Sequence, residues 1–393
     1  MPTAIPTELL DDSSAGLRPL KILQLVSGTD VNGALVHCRL LARELAKRGH
    51  LVSIGCRAGS WLWNQMDDSS VRLITCDMKR RPVSRMQSFA DWIRREKFDV
   101  MQTHMSSANL FGVLMKQMTG VPVVATAHSR HIQPHWRFND HVIANSAVTQ
   151  RYMRRVNRVN PQRLTTVHCF VDDEKFREQE TIIYRGLRRQ WRFQLDARVV
   201  VIAGDVVPHK GHWYFFQCLP DLLKRFPDLQ VVVVGRFKRD EKYTQKLRRF
   251  LLQHRILNRV KWIGRRNNMQ EVLSAADLAV IPSLVESLGM VALECMAVGT
   301  PVVASRTGGL IELIENERNG LLVPAKNPQA IGQAVTRLLK CEQLHTELVA
   351  GGKSVVATRF STDVLVRQVE AVLRQTAGRV ADVEDRSCSS SAA

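Results

Sequence analysis

The sequence lacks any uninterrupted run of 18 apolar residues, although 45% of its 393 residues are hydrophobic. A helix that crosses a bilayer needs about 20 predominantly apolar residues, so no segment predicts a membrane span. The N-terminus, MPTAIPTELLDDSSAG, is acidic and lacks the basic and then apolar order of a secretory signal peptide. We therefore expect the chain to remain in the cytoplasm.

The cysteines show no paired spacing. None of the 8 cysteines forms a C-x-x-C motif, and several lie in apolar, strand-like runs where a reduced thiol acts as a small hydrophobic group. This pattern predicts neither a disulfide framework nor a zinc site.

Acidic residues are few beside basic ones, with 37 Asp and Glu against 56 Lys and Arg, which gives a formal net charge of +19. Such a charge permits an anionic partner: nucleic acid, an acidic membrane surface or a phosphorylated substrate. The sequence contains no helix-turn-helix, zinc-finger or RNA-binding aromatic signature, and its basic residues occur in both halves. We therefore expect no nucleic-acid partner.

Short β-rich apolar runs alternate with helix-like segments in two series. The runs of the first series are 21–27, 51–56, 99–104, 121–128, 141–146 and 164–170; those of the second are 199–205, 230–235, 260–264, 278–283, 301–305 and 320–324. Their continuous hydrophobicity is typical of strands covered on both faces, and hence of parallel α/β sheets. Two doubly wound domains facing a cleft are the simplest architecture, with ligands beyond the carboxyl ends of the strands.

The charged stretch 172–196 contains no predicted strand, so the domain boundary is expected there. We predict a disordered N-terminal segment over 1–18 and a first Rossmann-like domain over 19–178. A second such domain, with a closing C-terminal helix, covers 179–375. Composition predicts a disordered tail over 376–393.

Two acids stand in an otherwise apolar stretch, PSLVESLGMVALECMAVG, where a strand is followed by a helix predicted to start near Ser287. Glu286 lies in the turn and Glu294 about two turns into the helix. The amides of Leu288, Gly289 and Met290 precede or open that helix, where free N–H groups and the helix dipole favour an anion. Phosphate at the helix end and sugar hydroxyls on the carboxylates would match a nucleotide sugar.

The stretch PSLVESLGMVALECMAVGTPVVASRTGGLIELIENERNGLLVP resembles the signature region of the family 4 retaining glycosyltransferases, which have the GT-B fold of two Rossmann-like domains. Four further segments are similar to motifs of that family, in the family's order: DVNGALVHCRLLARELAKRGHLVSI, VVATAHS, GDVVPHKGHWYFFQCLPDLL and IGRRNNMQEVLSAADLAVIPS. The resemblance spans roughly residues 20 to 375. It is specific for the family and much less so for the substrate.

The resemblance implies roles for particular residues. Glu286 would bind donor-sugar hydroxyls, Glu294 the nucleotide ribose, and Lys210 the diphosphate, where it would stabilise the departing phosphate. His128 would contact the sugar near the reacting carbon. Further donor contacts would come from the glycine loop and from the segment around the base, at Gly33, Arg265, Asn268 and Met269.

Several of these residues also have an ordinary structural interpretation. Glu286 would be a helix-capping acid, Glu294 a half-exposed helix acid, Gly33 a turn glycine, Lys210 a solvated loop lysine and His128 a histidine satisfied at a strand end. Asp205 departs from the family pattern, which usually has an arginine at this position. Arg236 and Arg265 follow donor-domain strands and are candidate replacements for that cation, or ordinary surface arginines.

No Asp-x-Asp motif occurs, so the diphosphate is not expected to be held through a carboxylate-bound metal ion. The run HSRHIQPHWRFNDHV, with His128, His131, His135 and His141, fits no compact zinc spacing. We therefore expect neither a metal nor another cofactor, and a UDP- or GDP-sugar as co-substrate.

The sequence therefore predicts a retaining, metal-independent transferase that moves a sugar to a hydroxyl of a glycan or glycolipid, in lipopolysaccharide or other surface-polysaccharide synthesis. A nucleotide-sugar epimerase on the same fold and a non-catalytic sugar-nucleotide or nucleic-acid binding protein are the alternatives.

Three basic clusters, at 79–97, 151–163 and 184–193, belong to or adjoin the first domain. In the first of them Met86, Phe89, Ala90 and Ile93 have helical spacing. Basic residues around an apolar stripe suggest peripheral adsorption to the anionic inner leaflet of the plasma membrane. Core-packed helices with solvated basic faces are the alternative.

Overall fold

The computed structural model describes residues 18–78, 83–172, 176 and 181–390, without the side chains of 181–185 and 379–390. Its chain divides into two compact units, an N-terminal unit through Cys169 that also takes in the residues from Thr362 on, and a C-terminal unit over Phe170–Ser361.

In the described part of the N-terminal unit, seven parallel strands form one sheet in the order β3-β2-β1-β4-β5-β6-β7. The strands are β1 (Lys21–Val26), β2 (Leu51–Cys56), β3 (Val71–Thr75), β4 (Val100–His104), β5 (Val123–Ala127), β6 (His141–Ala144) and β7 (Leu164–Thr166). The helices between them are α1 (Gly33–Lys47), α2 (Trp61–Gln65), α3 (Val83–Glu96), α4 (Ser106–Thr119) and α5 (Ala147–Arg155).

The C-terminal unit repeats this topology, with its described strands in the order β10-β9-β8-β11-β12-β13. These are β8 (Val199–Ala203), β9 (Gln230–Val234), β10 (Val260–Gly264), β11 (Leu278–Ile281), β12 (Val302–Ser305) and β13 (Leu321–Val323). Its helices are α6 (Thr181–Gln190), α7 (His212–Arg225), α8 (Lys242–Gln253), α9 (Met269–Ser274), α10 (Met290–Val298), α11 (Leu310–Leu313), α12 (Pro328–Lys340) and α13 (Glu342–Arg359).

The last helix, α14 (Thr362–Ser390), is grouped with the N-terminal unit rather than closing the C-terminal one. Its apolar residues Leu365, Val366, Val369, Val372 and Leu373 recur at helical spacing and are buried. The helix also enters the range 376–393, for which composition predicts disorder. The predicted disordered segment 1–18 lies almost wholly outside the described residues.

Each predicted strand run contains a strand, and the continuous apolar character reflects burial on both faces, as in the fully buried Val199–Ala203. The sequence patterns missed β3, an edge strand whose VRLIT segment is only partly buried. The doubly wound α/β prediction for each half is confirmed.

Helix α3 carries the first basic cluster, and its apolar stripe faces the core. Ala90 and Ile93 are buried, while Met86 and Phe89 pack against the same hydrophobic cluster. The stripe is therefore core, as the alternative interpretation has it, and the helix presents a basic face. Lys79, Arg80 and Arg81 lie outside the described residues.

In the third basic cluster, Arg188 is buried, so it does not belong to a basic surface. Its guanidinium donates hydrogen bonds to the carbonyls of Ala275, Leu195 and Ala197 and contacts Asp277 at 3.0 Å. This arginine therefore fastens α6 to the C-terminal unit.

Candidate functional site

Lys210 and Glu286 meet at the carboxyl edge of the C-terminal sheet. Lys210 follows β8 and Glu286 follows β11, and these neighbouring strands flank the point where the strand order reverses. Ligands of doubly wound sheets bind at such a switch point. The Nζ of Lys210 lies 2.7 Å from Oε2 of Glu286, which also accepts a hydrogen bond of 3.1 Å from Ser283.

A tight turn brings Lys210 to this place. Pro208–Lys210 forms one turn of 3-10 helix, and Gly211 then adopts φ +73° before α7 begins. A Cβ on Gly211 would lie 1.8 Å from the carbonyl oxygen of Pro282, so only glycine fits there. The backbone of the two loops is joined by a 2.7 Å hydrogen bond from the amide of Leu284 to the carbonyl of His209.

The loop that carries Glu286 rests on a pair of glycines from the β12–α11 connection. A Cβ on Gly308, where φ is +52°, would lie 1.9 Å from the carbonyl oxygen of Glu286, and one on Gly309 2.3 Å from that of Ser287. Gly309 also donates its amide to the Glu286 carbonyl at 3.2 Å. The backbone of Glu286 is therefore fixed from behind by a second loop.

The prediction that the following helix starts near Ser287 is wrong, because α10 begins at Met290. Gly289 has φ +108°, which is incompatible with a right-handed helix, and its neighbour Leu288 is buried. The first amides of a helix have no partner within it, so Met290 and Val291 present theirs at this end. Those of Leu288 and Gly289 belong to the preceding loop.

Glu294 consequently lies in the second turn of α10, nearer the start of the helix than expected. It is half-buried, and the apolar residues Ala292, Leu293 and Cys295 around it are fully buried. The carboxylate is therefore the one charged group of an otherwise apolar helix.

Asp205 follows β8 and is enclosed by the two arginines that the sequence offers as substitute cations. Arg265 contacts its carboxylate at 3.1 Å and Arg236 at 3.3 Å, and the Arg236 amide donates to Oδ1 at 3.0 Å. Partial burial acts to raise the pKa of Asp205, but the hydrogen bonds from Arg265 and the Arg236 amide outweigh it and lower the pKa. The carboxylate is therefore ionised at neutral pH.

Asn268 and Met269 lie at the start of α9, beyond the β10 end that carries Arg265. The Asn268 side chain donates a 2.6 Å hydrogen bond to Glu271, while Met269 is the first helical residue. These residues share the carboxyl edge of the sheet with Asp205, because β10, β9 and β8 are neighbours.

Two polar residues beside Lys210 were not predicted from the sequence. Ser283 fixes the Glu286 carboxylate, and only its position directly after a strand could have indicated it. His212 is fully buried, and neither ring nitrogen has a hydrogen-bond partner among the described residues. Burial, together with the nearby Lys210, lowers the pKa of His212 to about 3, so the imidazole is neutral.

In the N-terminal unit, Gly33 opens α1 directly after β1 and its loop, as predicted. Asn32 caps this helix by accepting hydrogen bonds from the amides of Ala34 and Leu35, at 3.0 and 3.2 Å. Close packing at a glycine occurs instead at Gly28, where a Cβ would lie 2.3 Å from the Leu35 side chain. Sequence reasoning missed both Asn32 and Gly28, although each stands between a strand and a helix.

His128 follows β5, as predicted, but its ring nitrogens face protein groups. Nε2 lies 3.1 Å from Nδ1 of His104, and Nδ1 lies 3.9 Å from Sγ of Cys169. Burial lowers the pKa of His128 to about 4, so the ring is neutral. Of the other histidines in the run, His141 contacts Thr165 at 2.8 Å and His135 stacks on Trp136.

A cavity of about 870 Å³ lies along edge strand β10 of the C-terminal unit. Trp191, Arg192, Phe237, Arg248 and Trp262 are among its lining residues. The lining includes none of the residues that the sequence predicts for the donor.

Two family models match the chain, and together they cover most of it. The model described as Glycosyl transferases group 1 matches residues 185–355, and the model described as Glycosyltransferase Family 4 matches residues 31–175. The chain belongs to glycosyltransferase family 4. The family recognised from sequence motifs is thereby confirmed.

Relatives of this glycosyltransferase include an uncharacterised glycosyltransferase of Methanocaldococcus jannaschii, 26% identical, with 88% of this chain and 94% of the relative covered. The D-inositol 3-phosphate glycosyltransferase of Corynebacterium glutamicum is 26% identical, with 81% and 85% covered. The solved structure of Anabaena HepE with UDP-glucose is 20% identical and covers 91% of this chain and all of its own, with a TM-score of 0.80. This likeness shows the fold, and the glycosyltransferase has the predicted GT-B fold.

Among the described residues, no helix combines the length and apolar character needed to cross a bilayer.

Proposed function

We propose that the enzyme transfers a sugar, with retention and without a metal ion, from a nucleotide sugar to a hydroxyl group of a glycan or glycolipid. The observation that carries the proposal is the 2.7 Å contact between Lys210 and Glu286 at the switch point of the C-terminal sheet, beside the first amides of α10. In this arrangement a cation and free amides can bind a phosphate, and a carboxylate can bind hydroxyl groups.

A nucleotide-sugar donor is supported by the solved structures with the same fold, since Anabaena HepE is described in complex with UDP and with UDP-glucose. In this enzyme we assign the diphosphate to Lys210 and the amides of Leu288, Gly289 and Met290, with Gly33 contributing from the N-terminal unit. We assign the sugar to Glu286 and His128, the ribose to Glu294 and the base to Arg265, Asn268 and Met269. UDP and GDP are the candidate carriers.

In the proposed reaction, the bond between the anomeric carbon and the phosphate oxygen breaks while the acceptor oxygen bonds to the same face of that carbon. The acceptor proton passes to the departing phosphate, so no enzyme nucleophile is needed. Lys210 and the amides stabilise the negative charge on the leaving group. Glu286 holds the sugar and keeps the Lys210 ammonium at the site.

An acceptor in surface-polysaccharide or lipopolysaccharide synthesis is suggested by WaaG, described as a glycosyltransferase involved in lipopolysaccharide biosynthesis. It covers 90% of this chain at 16% identity, with a TM-score of 0.69. The D-inositol 3-phosphate glycosyltransferase among the relatives makes a small polar acceptor the main competitor.

The test is substitution of Glu286. We expect Glu286→Ala to lower turnover about 100-fold or more, with a change of less than about 3-fold in the dissociation constant of the nucleotide, because within the donor the carboxylate is assigned only to the sugar, while Lys210 and the amides remain to bind the diphosphate. Turnover with a panel of UDP- and GDP-sugars and calorimetric binding of the nucleotide would measure the two effects. Glu347→Gln, at an exposed acid of α13, is the control. Equal losses of turnover and nucleotide affinity would contradict the role.

We further propose that the N-terminal unit adsorbs to the anionic inner leaflet through charge, since the apolar stripe of α3 is buried. Exposed arginines on α3, on α5 and just after α5 supply that charge: Arg85, Arg95, Arg151, Arg154, Arg155 and Arg158. Each basic residue near the surface contributes about 1 kcal/mol. We expect sedimentation with anionic vesicles at low salt, reversed at high salt and absent with neutral vesicles; no sedimentation at low salt would end this proposal.

A further inference from the structure

Three residues that are distant in sequence place metal-ligand atoms together in the N-terminal unit. Cys38, His104 and His128 each offer one ligand atom, and these three atoms lie within 4.8 Å of one another. Cys38 is on α1, His104 is the last residue of β4 and His128 follows β5. Because these residues are far apart in sequence, no motif spacing predicts the cluster.

The fold places this cluster where ligands of such sheets bind. Strands β1 and β4 are neighbours at the reversal of strand order, and β5 pairs with β4 on the other side. His104 and His128 therefore project from adjacent carboxyl strand ends, beneath the helix that starts after β1.

His104, one of the three residues of the cluster, has a ring nitrogen without a hydrogen-bond partner among the described residues. This nitrogen is Nε2, and the residue is 0% exposed. An unpartnered buried polar atom is costly, and a bound ion or an ordered water molecule would satisfy it. Its residue belongs to the same cluster as the Cys38 sulfur and the His128 ring.

We propose that Cys38, His104 and His128 form a zinc-binding site. Two imidazoles and one thiolate are the ligand types that Zn²⁺ prefers, and a set of three protein ligands leaves the fourth tetrahedral position open for water. On binding, the Cys38 thiol gives its proton to the solvent, and the resulting thiolate and the two neutral imidazoles donate electron pairs to the metal. No electron transfer is required.

The surroundings of His128 suit a ligand. When its Nε2 binds the metal in place of its 3.1 Å contact with Nδ1 of His104, its Nδ1 carries the proton and faces Sγ of Cys169 at 3.9 Å. Such an outer hydrogen bond orients the ring and fixes its tautomer. The carbonyl of His128 also accepts a 3.3 Å hydrogen bond from Asn145. Because Cys38 and His104 are buried whereas His128 is partly exposed, the ion enters from the His128 side.

Zinc at this site holds the ring that the proposed function assigns to the donor sugar. Bound zinc should therefore lower transferase activity, and this consequence rests on the proposed function. The binding claim itself does not, since it is measured without substrate.

The experiment titrates the full-length metal-free protein with Co²⁺ and Zn²⁺. We expect one Co²⁺ per chain with a thiolate-to-cobalt charge-transfer absorption, displaced by Zn²⁺, and a dissociation constant for zinc below about 1 μM in competition with a chromophoric chelator. Cys38→Ser should abolish the absorption and weaken zinc binding about 100-fold, His104→Gln should do likewise, and Cys169→Ala should weaken it about 10-fold.

Cys76→Ser, at another buried cysteine of the same unit, is the matched control and should bind zinc as the unsubstituted protein does. Circular dichroism and thermal melting would show that each variant is folded. A complex without the thiolate absorption, or zinc binding that survives both Cys38→Ser and His104→Gln, would overturn the proposal, since surface histidines would then be the ligands. If zinc binds as expected but transferase activity is not lowered, the zinc site is supported and the role of His128 in the donor site is contradicted.

Discussion

At the scale of single residues, Asp205 stands where an acid is least expected in a site for a diphosphate. Its contacts explain how the acid is accommodated: Arg265, Arg236 and the Arg236 amide surround it, and each belongs to the end of a neighbouring strand. The carboxylate therefore joins the ends of β8, β9 and β10. It also neutralises part of the positive charge that a diphosphate would meet.

We predict that Asp205→Asn binds the nucleotide about 2- to 10-fold more tightly, because the amide keeps much of the hydrogen bonding while releasing the charge of two arginines. Calorimetry with UDP and GDP, at two salt concentrations, would measure the change. Asp221→Asn, an exposed acid of α7 in the same unit, is the control. Weaker binding by Asp205→Asn would mean that the strand-joining role of the acid matters more than its charge.

At the scale of elements, the candidate site is a junction of three loops after β8, β11 and β12. Glycines set the separation of these loops, since a Cβ on Gly211 or Gly308 would overlap a carbonyl oxygen of the neighbouring loop. Because backbone atoms are the obstacle, no side-chain rearrangement relieves the overlap. The loops must therefore move apart if either glycine is replaced.

We predict that Gly308→Ala destabilises the C-terminal unit by about 2–4 kcal/mol and displaces Glu286 from Lys210, with loss of transferase activity. Gly264→Ala is a matched control, because Gly264 also has positive φ (+70°) but a Cβ there has no neighbour within 4 Å. That variant should cost only about 1 kcal/mol. Thermal melting of the two variants would separate overlap from backbone strain, and equal melting temperatures would refute the loop-contact argument.

At the scale of the whole molecule, the return of the chain to its N-terminal unit depends on α14. Besides its apolar face, the helix places Glu370 beside Nε2 of His50 at 3.1 Å, Arg374 at 2.9 Å and Arg48 at 3.6 Å. The contact with His50, together with Arg374, lowers the pKa of Glu370 from 4.5 to about 2 against the opposing effect of burial. The carboxylate thus attaches α14 through its charge.

This attachment should depend on pH. The pKa of Glu370 is lower in the folded state, so its stabilising contribution is complete above about pH 4.5 and is lost as the pH falls toward about 2. We predict that Glu370→Gln lowers stability by about 1–3 kcal/mol at pH 7 and that its deficit shrinks below pH 4.5. Thermal melting of both proteins from pH 7 to pH 3 would test this, and a deficit independent of pH would rule out the charge.

Much of the fold could be predicted because its determinants are local. Continuous apolar runs identified the buried strands, whereas β3, an edge strand in which Arg72 and Thr75 are exposed, was missed. Glu286 was identified from its place after a strand, and Lys210 from the family resemblance. Because parallel strands end at one edge of the sheet, the two residues share that edge. The start of α10 was misplaced because Gly289 adopts φ +108°; a Cβ there would lie 2.6 Å from the Leu310 side chain, a contact between residues far apart in sequence.

The sequence by itself determined the family, two doubly wound sheets and the strand ends that carry the candidate donor residues, since all of these follow from local periodicity and motifs. Only the tertiary structure decided which residues touch. It paired Asp205 with two arginines, turned the apolar stripe of α3 inward, returned α14 to the N-terminal unit and brought Cys38 to His104 and His128. Such contacts join residues far apart along the chain, and their distances depend on how whole elements pack.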